Sequence, residues 1–239
     1  MTLRLTIAMP AYNEEGGLER AVREALAALD DLSDPNGGEV LVVDDGSTDR
    51  TPEILARLGA EDPRLRTLRH PENLGITGFN RSMIAHALGE WVFFIGADGE
   101  WDPREALRFL DIAERRRCDG VLGYRVEKHY TPWRKMVSRA FNFSLLLGFG
   151  VRLRDVGSIR LLRRAHFAPL RLYSRSAFLN AERLLVGARR GARLEEVPVE
   201  HRHRLTGRGR GSRPAAVLAA VCDLILTRLR WFRFERYYA

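Results

Sequence analysis

The chain has 239 residues, of which 45% are hydrophobic and 29% are charged. These proportions are ordinary for a globular protein and argue against wholesale disorder. The length allows one large domain with a sizeable core, or one domain with a small appendage. The two cysteines, Cys118 and Cys222, lie far apart and have no zinc-ligand spacing around them. This pattern favours a reducing compartment and argues against a structural metal of the zinc-finger kind.

The net charge is +8, and the basic residues are placed unevenly along the chain. Arginine accounts for 37 of the 39 basic residues, since Lys128 and Lys135 are the only lysines. A compositional bias of the source genome explains most of this preference for arginine. The cationic excess is concentrated after Arg152, above all between Arg183 and Arg236. A cluster of this kind could meet nucleic acid, anionic lipid or a phosphorylated substrate.

The first half of the chain alternates strand and helix patterns. Short apolar runs of strand length lie at Leu3–Met9, Val40–Val43, Leu65–Leu68, Trp91–Ile95 and Gly120–Leu122. Helical periodicity over 18–29 and 107–113 predicts covering helices, and Thr51-Pro52-Glu53 predicts a helix start with Thr51 as the cap. The alternation predicts an α/β fold with a mostly parallel central sheet flanked by helices. Ligands of such sheets bind at the carboxyl ends of the strands.

The second half of the chain is less regular. The pattern predicts helices over Pro132–Phe149, Ala177–Gly191 and Pro214–Tyr238, a strand over Arg193–Val199 and a basic, glycine-bearing loop over 201–213. No internal repeat and no linker between two folded domains is visible. We therefore expect one domain over 1–213, followed by an amphipathic helix over 214–239 that packs on the core or lies on a membrane surface.

Two polar motifs close the first two predicted strands. Residues 10–15 read Pro-Ala-Tyr-Asn-Glu-Glu, and residues 42–49 read Val-Val-Asp-Asp-Gly-Ser-Thr-Asp. The adjacent carboxylates of Asp44 and Asp45, followed by a glycine turn, suit hydrogen bonds to ribose hydroxyls or base nitrogens. An isolated Asp-Gly-Ser is most often only a capped turn. Together, at the ends of successive strands, the two motifs resemble the hallmark pair of the family 2 glycosyltransferases.

This resemblance implies a GT-A-like fold that binds a nucleoside-diphosphate sugar. It also implies which residues contact the donor. The expected nucleotide-sugar ligands are Pro10, Tyr12, Glu14, Asp44, Asp45, Ala97, Asp98, Arg125, Arg204 and Arg210. Of these, Asp98, Arg125 and Arg204 are the expected catalytic residues.

A third motif follows the fourth predicted strand, where that family carries an Asp-x-Asp metal motif. Asp98 and Glu100 match the two metal-binding positions, and the resemblance implies that they hold Mg²⁺ or Mn²⁺. The sequence departs from the pattern twice, because Gly96 replaces the first Asp and Glu100 replaces a Gln. The loss of a carboxylate at Gly96 leaves a non-catalytic homologue as an alternative.

Further matches concern the acceptor. Gly123-Tyr124-Arg125, the pair Arg134 and Ser138, and the late loop with Arg204 and Arg210 resemble the subgroup of dolichyl- and polyprenyl-phosphate mannose or glucose synthases. The pair at 134 and 138 shares one helix face, and arginine suits phosphate because its planar fork donates two charge-assisted bonds. The resemblance implies that this pair binds the acceptor phosphate.

The expected reaction is therefore transfer of mannose or glucose, with inversion, from a nucleoside-diphosphate sugar to a polyprenyl or dolichyl phosphate. A saccharide or protein hydroxyl is the alternative acceptor, with Asp155 or Glu182 as the general base. Because a phosphate acceptor needs no strong base, the same two acids could instead be structural or could orient arginines. The basic loop over 201–213 has no interleaved aromatic residues, so we expect no nucleic acid partner.

The two ends of the sequence bear on location. The first residues lack the basic lead and long apolar stretch of a signal peptide, so we expect a cytoplasmic protein. The last residues interleave arginines with aromatic residues after an apolar helix that is too short to span a bilayer. This tail fits an interfacial anchor on the inner face of the membrane, or a helix packed on the core.

Overall fold

The computed structural model describes residues 3–34, 37–126, 132–200 and 214–238, with the backbone alone for residues 132–135. Within these ranges the strands are β1 (Leu3–Ala11), β2 (Gly38–Asp44), β3 (Leu65–Arg69), β4 (Gly89–Phe94), β5 (Gly120–Arg125), β6 (Arg160–Arg163) and β7 (Leu194–Val199). The helices are α1 (Leu18–Asp30), α2 (Thr51–Glu61), α3 (Gly75–His86), α4 (Glu105–Arg116), α5 (Pro132–Phe149), α6 (Arg164–Phe167), α7 (Leu179–Arg189), α8 (Pro214–Trp231) and α9 (Phe234–Tyr238).

The strands form one sheet in the order β3-β2-β1-β4-β6-β5-β7. Strand β6 runs antiparallel to its neighbours β4 and β5, and all other pairs are parallel. The predicted α/β fold with a mostly parallel sheet is confirmed. The sequence patterns missed β6, because its four residues, Arg-Leu-Leu-Arg, are too few to show a period. This strand places Arg160 at the edge where β4 ends.

Both faces of the sheet are covered, because successive side chains of a strand point to opposite faces. On one face, Ile7 of β1 and Phe93 of β4 pack with apolar residues of α1, α2 and α4. On the other face, Ala8 and Phe94 pack with apolar residues of α3, α6, α7 and α9. The near-continuous burial of β1, β2 and β4 leaves their polar carboxyl ends as the part of the sheet that can meet a ligand.

The start of α2 differs from the prediction that Thr51 is its cap. The helix already includes Thr51, whose backbone N–H donates to Oδ1 of Asp49 over 3.0 Å. The hydroxyl of Thr51 instead accepts a hydrogen bond from the backbone N–H of Glu14, at 3.0 Å. The cap prediction was wrong because a contact between two loops, which a local pattern cannot show, takes the hydroxyl.

The predicted final helix divides into α8 and α9, and both pack on the sheet domain. Asp223 of α8 is buried and accepts hydrogen bonds from the backbone N–H groups of Arg175 and Ser176, at 2.9 and 2.8 Å. The phenol of Tyr238 in α9 donates to Glu182 over 2.7 Å. The predicted boundary at 213 lies outside the described residues. Within those residues, every helix is too short or too polar to cross a bilayer.

Candidate functional site

The loops that follow β1 and β2 are joined by hydrogen bonds. The backbone N–H of Asn13 donates to Oγ of Ser47 over 3.0 Å, and the side-chain oxygen of Asn13 accepts from the backbone N–H of Thr48 over 2.9 Å. Asn13 has a φ of 56°, a left-handed conformation that asparagine tolerates better than most residues. The two motifs that the sequence placed at successive strand ends therefore form one surface.

Asp44 ends β2 and is almost fully buried. Its Oδ1 accepts a hydrogen bond from the backbone N–H of Ser47 over 2.9 Å. Its Oδ2 lies 3.4 Å from Nε of Arg69, an ion-pair distance, but accepts no hydrogen bond from the described residues. Because a buried carboxylate oxygen without a hydrogen bond is costly, Asp44 is well suited to accept one from a ligand.

Asp45 serves a different structural purpose from its neighbour. Its carboxylate accepts hydrogen bonds from Nδ1 of His70 at 2.7 Å and from the backbone N–H groups of Leu74 and Gly75 at 2.9 and 2.8 Å. These last two groups lie at the start of α3, where a carboxylate also interacts favourably with the helix dipole. Asp45 thus anchors α3 to the sheet, and its predicted contact with the nucleotide stays a prediction.

A cavity of about 200 Å³ lies beyond the carboxyl end of β4. It brings together three residues that the sequence nominated, Pro10, Asp98 and Glu100, along with Gly96. Tyr12 and Glu14 are partly exposed on the neighbouring loop, and Ala97 is buried beside Asp98. The cavity therefore adjoins the surface formed by the first two motifs.

Asp98 and Glu100 lie within one tight turn, in which the backbone N–H of Glu100 donates to Oδ1 of Asp98 over 3.2 Å. The Asp98 carboxylate leans over Gly96, since a Cβ added at position 96 would lie 3.0 Å from that same oxygen. The missing side chain at Gly96 thus makes room for the carboxylate two residues later.

The described residues contain no group of three or more acidic, histidine or cysteine side chains that could hold a metal alone. Two neighbouring carboxylates still fit Mg²⁺ or Mn²⁺, because such ions often take one or two carboxylates and complete their shell with substrate phosphates and water.

Arg125, at the end of β5, is held by Asp155. Its Nε and Nη2 donate to the two carboxylate oxygens at 2.7 and 2.8 Å, a bidentate pair that is largely buried. The guanidinium also lies 5.7 Å from the ring of Trp101. Of the roles left open for Asp155, the geometry favours orienting an arginine over acting as a general base.

Glu182 is fully enclosed in the fold. Its carboxylate accepts hydrogen bonds from the backbone N–H groups of Tyr173 and Ser174, at 3.1 and 2.8 Å, and from the phenol of Tyr238, at 2.7 Å. Burial raises the pKa of the Tyr238 phenol, and the charge of Glu182 raises it further. Glu182 therefore joins α7 to α9, and its carboxylate is shielded from solvent.

A buried polar cluster lies in the wall of the cavity; the sequence places its arginine at the end of the family-like segment 155–160 but does not show that the cluster forms. Nη2 of Arg160 donates to the side-chain oxygens of Asn80 and Asn180, at 2.9 and 2.7 Å, and the guanidinium lies 4.6 Å from the ring of Phe94. Burial, followed by repulsion from Arg183, lowers the pKa of Arg160 to about 9, so the group remains cationic at neutral pH. The sequence held one hint of this cluster: Asn80 and Asn180 lie inside α3 and α7, although asparagine is a poor helix former.

The remaining predicted ligands are less fully described. Arg204 and Arg210 lie outside the described residues, and so does the side chain of Arg134. Ser138 is half-buried on α5. The nucleotide, catalytic and acceptor-phosphate roles of these residues, and those of Asp98 and Arg125, stay predictions.

The sequence matches the family model described as Glycosyl transferase family 2 over residues 6–179. Similar curated proteins include the glycosyltransferase AglD of Haloferax volcanii, 29% identical over 83% of this chain and 33% of its own length. The dodecaprenyl-phosphate galacturonate synthase of Rhizobium johnstonii is 29% identical over 86% of this chain and 61% of its own. The dolichyl-phosphate beta-glucosyltransferase ALG5A of Trichomonas vaginalis is 27% identical over 82% of this chain and 65% of its own length. The chain thus spans between a third and two thirds of these relatives.

The fold is similar to that of glucosyl-3-phosphoglycerate synthase from Mycobacterium tuberculosis. A structure of that protein with Mn²⁺, UDP-glucose and phosphoglyceric acid gives a TM-score of 0.73 at 17% identity, covering 95% of this chain and 80% of that one. Another structure of the same protein, with Mg²⁺ and UDP, gives a TM-score of 0.72 at 18% identity, covering 94% of this chain and 79% of that one. These similarities confirm the predicted GT-A-like fold. Because the family model matches most of the chain, the protein belongs to glycosyl transferase family 2.

Proposed function

We propose that the protein transfers a hexose, with inversion, from a nucleoside-diphosphate sugar to a polyprenyl phosphate. The observation that carries the proposal is the arrangement at the carboxyl edge of the sheet. There the joined loops after β1 and β2 adjoin a cavity that holds Asp98 and Glu100. Among family 2 enzymes, this arrangement supports a donor site with the nucleotide over the loops and the sugar toward the cavity.

The nucleotide part of the donor would lie over Pro10, Tyr12, Glu14 and Asp44. The buried Oδ2 of Asp44 accepts no hydrogen bond from the described residues, and a base N–H or a ribose hydroxyl could supply one. Asp45 would act indirectly by holding α3 in place. Mannose and glucose remain the proposed sugars, with GDP or UDP as the carrier.

Asp98 and Glu100 would hold Mg²⁺ or Mn²⁺, the ions with which the structurally similar synthase was crystallised. When bound, the ion would neutralise the diphosphate and so favour its departure. Arg125 presents a fixed cation at the same edge of the sheet, because Asp155 sets its orientation. Arg204 and Arg210, in the segment predicted from the sequence to be a basic loop, are the further proposed contacts of the diphosphate.

A phosphate acceptor accords better with the two acids than a hydroxyl acceptor does. Deprotonating a hydroxyl needs an accessible base, whereas a phosphate is already an anion at neutral pH. Glu182 is enclosed, and Asp155 is paired with Arg125. Arg134 and Ser138 are the proposed contacts of the acceptor phosphate. The relatives named after dodecaprenyl and dolichyl phosphates also support a lipid acceptor.

An exposed apolar surface supports a membrane location for that lipid. Among the described residues, ten of the 13 exposed large hydrophobic side chains lie on α5, on α8 or just after α8. We call this set the apolar ledge; it comprises Met136, Phe143, Leu146, Leu147, Leu218, Val221, Ile225, Leu226, Leu229 and Phe232. The two helices meet near their C-terminal ends, where the rings of Phe149 and Trp231 lie 5.0 Å apart.

An apolar surface of this extent marks an interaction site. Arg228 and Arg230 lie between the last ledge residues, and Arg233 and Arg236 follow them; all four match the charge of an anionic leaflet. We therefore propose that the protein attaches peripherally to the cytoplasmic face of the membrane through the ledge.

The proposal is tested by incubating the protein with polyprenyl phosphate in anionic vesicles and a panel of nucleotide sugars, with and without Mn²⁺. The expected result is release of nucleoside diphosphate from one donor, dependent on both lipid and metal. Asp98→Asn should lose most of this release while remaining folded by circular dichroism. If no donor yields release with lipid but one does with a sugar or peptide hydroxyl, the acceptor proposal is wrong and the family assignment stands.

A further inference from the structure

Arg160 is the one buried arginine in the wall of the cavity among the described residues. The side chain is 7% exposed, and it shares the cavity wall with Asp98 and Glu100. In the register of the sheet, Arg160 lies opposite Phe94, the last residue of β4, and opposite Leu122 of β5, three residues before that strand ends. The cation is therefore built into the sheet, at the donor side of the molecule.

The hydrogen bonds within the cluster use its acceptor oxygens and leave only donor groups without a partner among the described residues. Both carboxamide oxygens, of Asn80 and Asn180, accept from Nη2 of Arg160, and the amide group of Asn80 donates to the carbonyl of Ile76 over 2.9 Å. Nε and Nη1 of Arg160 make no hydrogen bond with the described residues, nor does the amide group of Asn180, which is only 9% exposed. The groups that remain are all donors, so their partner must be an acceptor.

The charge of the cluster leads to the same requirement. No carboxylate of the described residues forms an ion pair with Arg160. Arg183 lies behind it, fully buried, with Nε and Nη1 lacking hydrogen bonds within the described chain. Both guanidinium groups pack on the ring of Phe94, at 4.6 and 5.6 Å. The charge of Glu182 partly offsets the burial of Arg183, whereas Arg160 has no such counter-charge among the described residues. Burying an unpaired cation is costly, and an anion supplied by a ligand would offset that cost.

Among the described residues, Arg125 is a second cation near the cavity at this edge of the sheet. Its charge is already matched by the carboxylate of Asp155. A cavity of about 200 Å³ is also smaller than a typical ligand pocket, so it would enclose a part of the donor and not the whole molecule.

We propose that Asn80, Arg160 and Asn180 form an anion subsite that binds an oxyanion of the donor. The oxyanion is either the diphosphate or a carboxylate carried by the sugar. This inference rests on the proposed function for the identity of the donor, and the subsite itself can be tested with simpler anions.

Two variants test the subsite. Asn180→Asp keeps the shape of the side chain and pairs the charge of Arg160 inside the fold, so it should bind anions more weakly while the melting temperature stays equal or rises. Arg160→Met removes the charge with little loss of volume. Asn142→Asp, on the half-buried part of α5 and outside the cavity wall, is the control for anion affinity, because it adds the same charge elsewhere. It also loses the bond that the Asn142 amide donates to the carbonyl of Arg154, so its own melting temperature should fall. A merely structural cluster would change stability without changing anion affinity.

Calorimetry would measure binding of inorganic pyrophosphate, glucuronate, UMP, UDP, UDP-glucose and UDP-glucuronate, with GMP, GDP, GDP-mannose and GDP-mannuronate as a second series. If the diphosphate occupies the subsite, both variants bind pyrophosphate and every diphosphate ligand about tenfold to a hundredfold more weakly than the wild type does. Their affinity for the monophosphates UMP and GMP stays unchanged. If a sugar carboxylate occupies it, the wild type prefers the acidic sugar of a matched pair by about tenfold, and the variants lose that preference alone.

Unchanged affinities in both variants would overturn the subsite, and so would a wild type that binds none of these anions. A wild type that binds pyrophosphate through Arg160 but transfers no sugar to any acceptor would keep the subsite and overturn the proposed function instead.

Discussion

The backbone N–H of Thr48 donates to the side-chain oxygen of Asn13 across two different loops, at 2.9 Å. The same asparagine donates from its own backbone to Ser47, at 3.0 Å. Asn13 thus supplies two of the hydrogen bonds that join the two motifs that identify the family. Glu15 adds another, since its backbone N–H donates to Oδ2 of Asp49 over 3.1 Å. These bonds extend the contact beyond the point where β1 and β2 stop pairing, at Ala11 and Asp44.

Asn13→Ala should therefore weaken nucleotide binding and stability together. The variant loses the bond to Thr48 and must hold a φ of 56° without asparagine's tolerance of that region, so we expect a loss of about 1–3 kcal/mol in the free energy of unfolding. Asn13→Gly, which adopts this φ without strain, should recover part of the stability but not the nucleotide affinity. Chemical denaturation and calorimetry measure the two effects, and equal affinity of all three proteins would contradict the account.

The two adjacent aspartates should respond differently to the same substitution. Asp45→Asn places an amide against three donors at the start of α3, so it should lower stability by about 1–3 kcal/mol. Asp44→Asn should mainly lower nucleotide affinity, by about tenfold or more, because it alters an oxygen that we propose for the ligand. The comparison needs melting temperatures and nucleotide dissociation constants of both variants. The reverse pattern would show that the roles are exchanged.

Gly96→Asp restores the family's first metal-motif acid and yet should not improve the enzyme. A side chain at position 96 would begin 3.0 Å from Oδ1 of Asp98 and push that carboxylate aside. We expect transfer activity to fall about tenfold, because small displacements of positioned groups are costly in catalysis. Gly96→Ala should show most of the same loss. Metal titrations in which Gly96→Asp binds Mn²⁺ more tightly and transfers faster would mean that Gly96 is simply a lost ligand.

The apolar ledge can be tested with a natural reporter. Cys222 is exposed and lies on α8 beside ledge residue Val221, whereas Cys118 is buried. Anionic vesicles should slow maleimide labelling of Cys222, and neutral vesicles or high salt should slow it less. The double variant Leu147→Asn with Phe232→Asn should reduce vesicle binding by about a hundredfold or more, since each side chain contributes roughly 1.5–3 kcal/mol when buried.

Leu88→Asn is the control for that experiment, because Leu88 is an exposed leucine outside the ledge. Labelling that is insensitive to vesicles, with equal sedimentation of all variants, would rule out the ledge as the membrane contact.

Glu182→Gln separates a structural acid from a catalytic one. The carboxylate holds two backbone N–H groups and the phenol of Tyr238, so the variant should unfold at lower temperature while the folded fraction keeps its turnover. A fall of a hundredfold or more in turnover, with unchanged stability, would instead favour a hydroxyl acceptor and a general base at this position.

Much of the sheet could be predicted from the sequence, because buried parallel strands such as Val40–Val43 are continuous apolar runs with polar residues at one end. The patterns failed where the structure depends on partners distant in sequence. Strand β6 is too short to show a period, and a bond from Glu14 takes the Thr51 hydroxyl that was predicted to cap α2. The split between α8 and α9 also lay beyond a local pattern.

The candidate site shows the same limit. Motif resemblance nominated Asp98 and Arg125, which lie close to the strand ends in sequence as well as in space. It did not find Asn80 and Asn180, which lie on different helices and meet only through Arg160. Nor could the sequence distinguish Asp44 from Asp45, because their difference depends on which way each carboxylate points.

The most direct test of the central claim compares two lipids that differ in one group. The protein would be given its preferred nucleotide sugar, labelled in the sugar, with Mn²⁺ and either polyprenyl phosphate or the corresponding polyprenol. The account predicts labelled product in the lipid fraction with the phosphate alone, and its loss on chelation or with Asp98→Asn. Equal labelling of the polyprenol, or labelling of neither lipid, would contradict it.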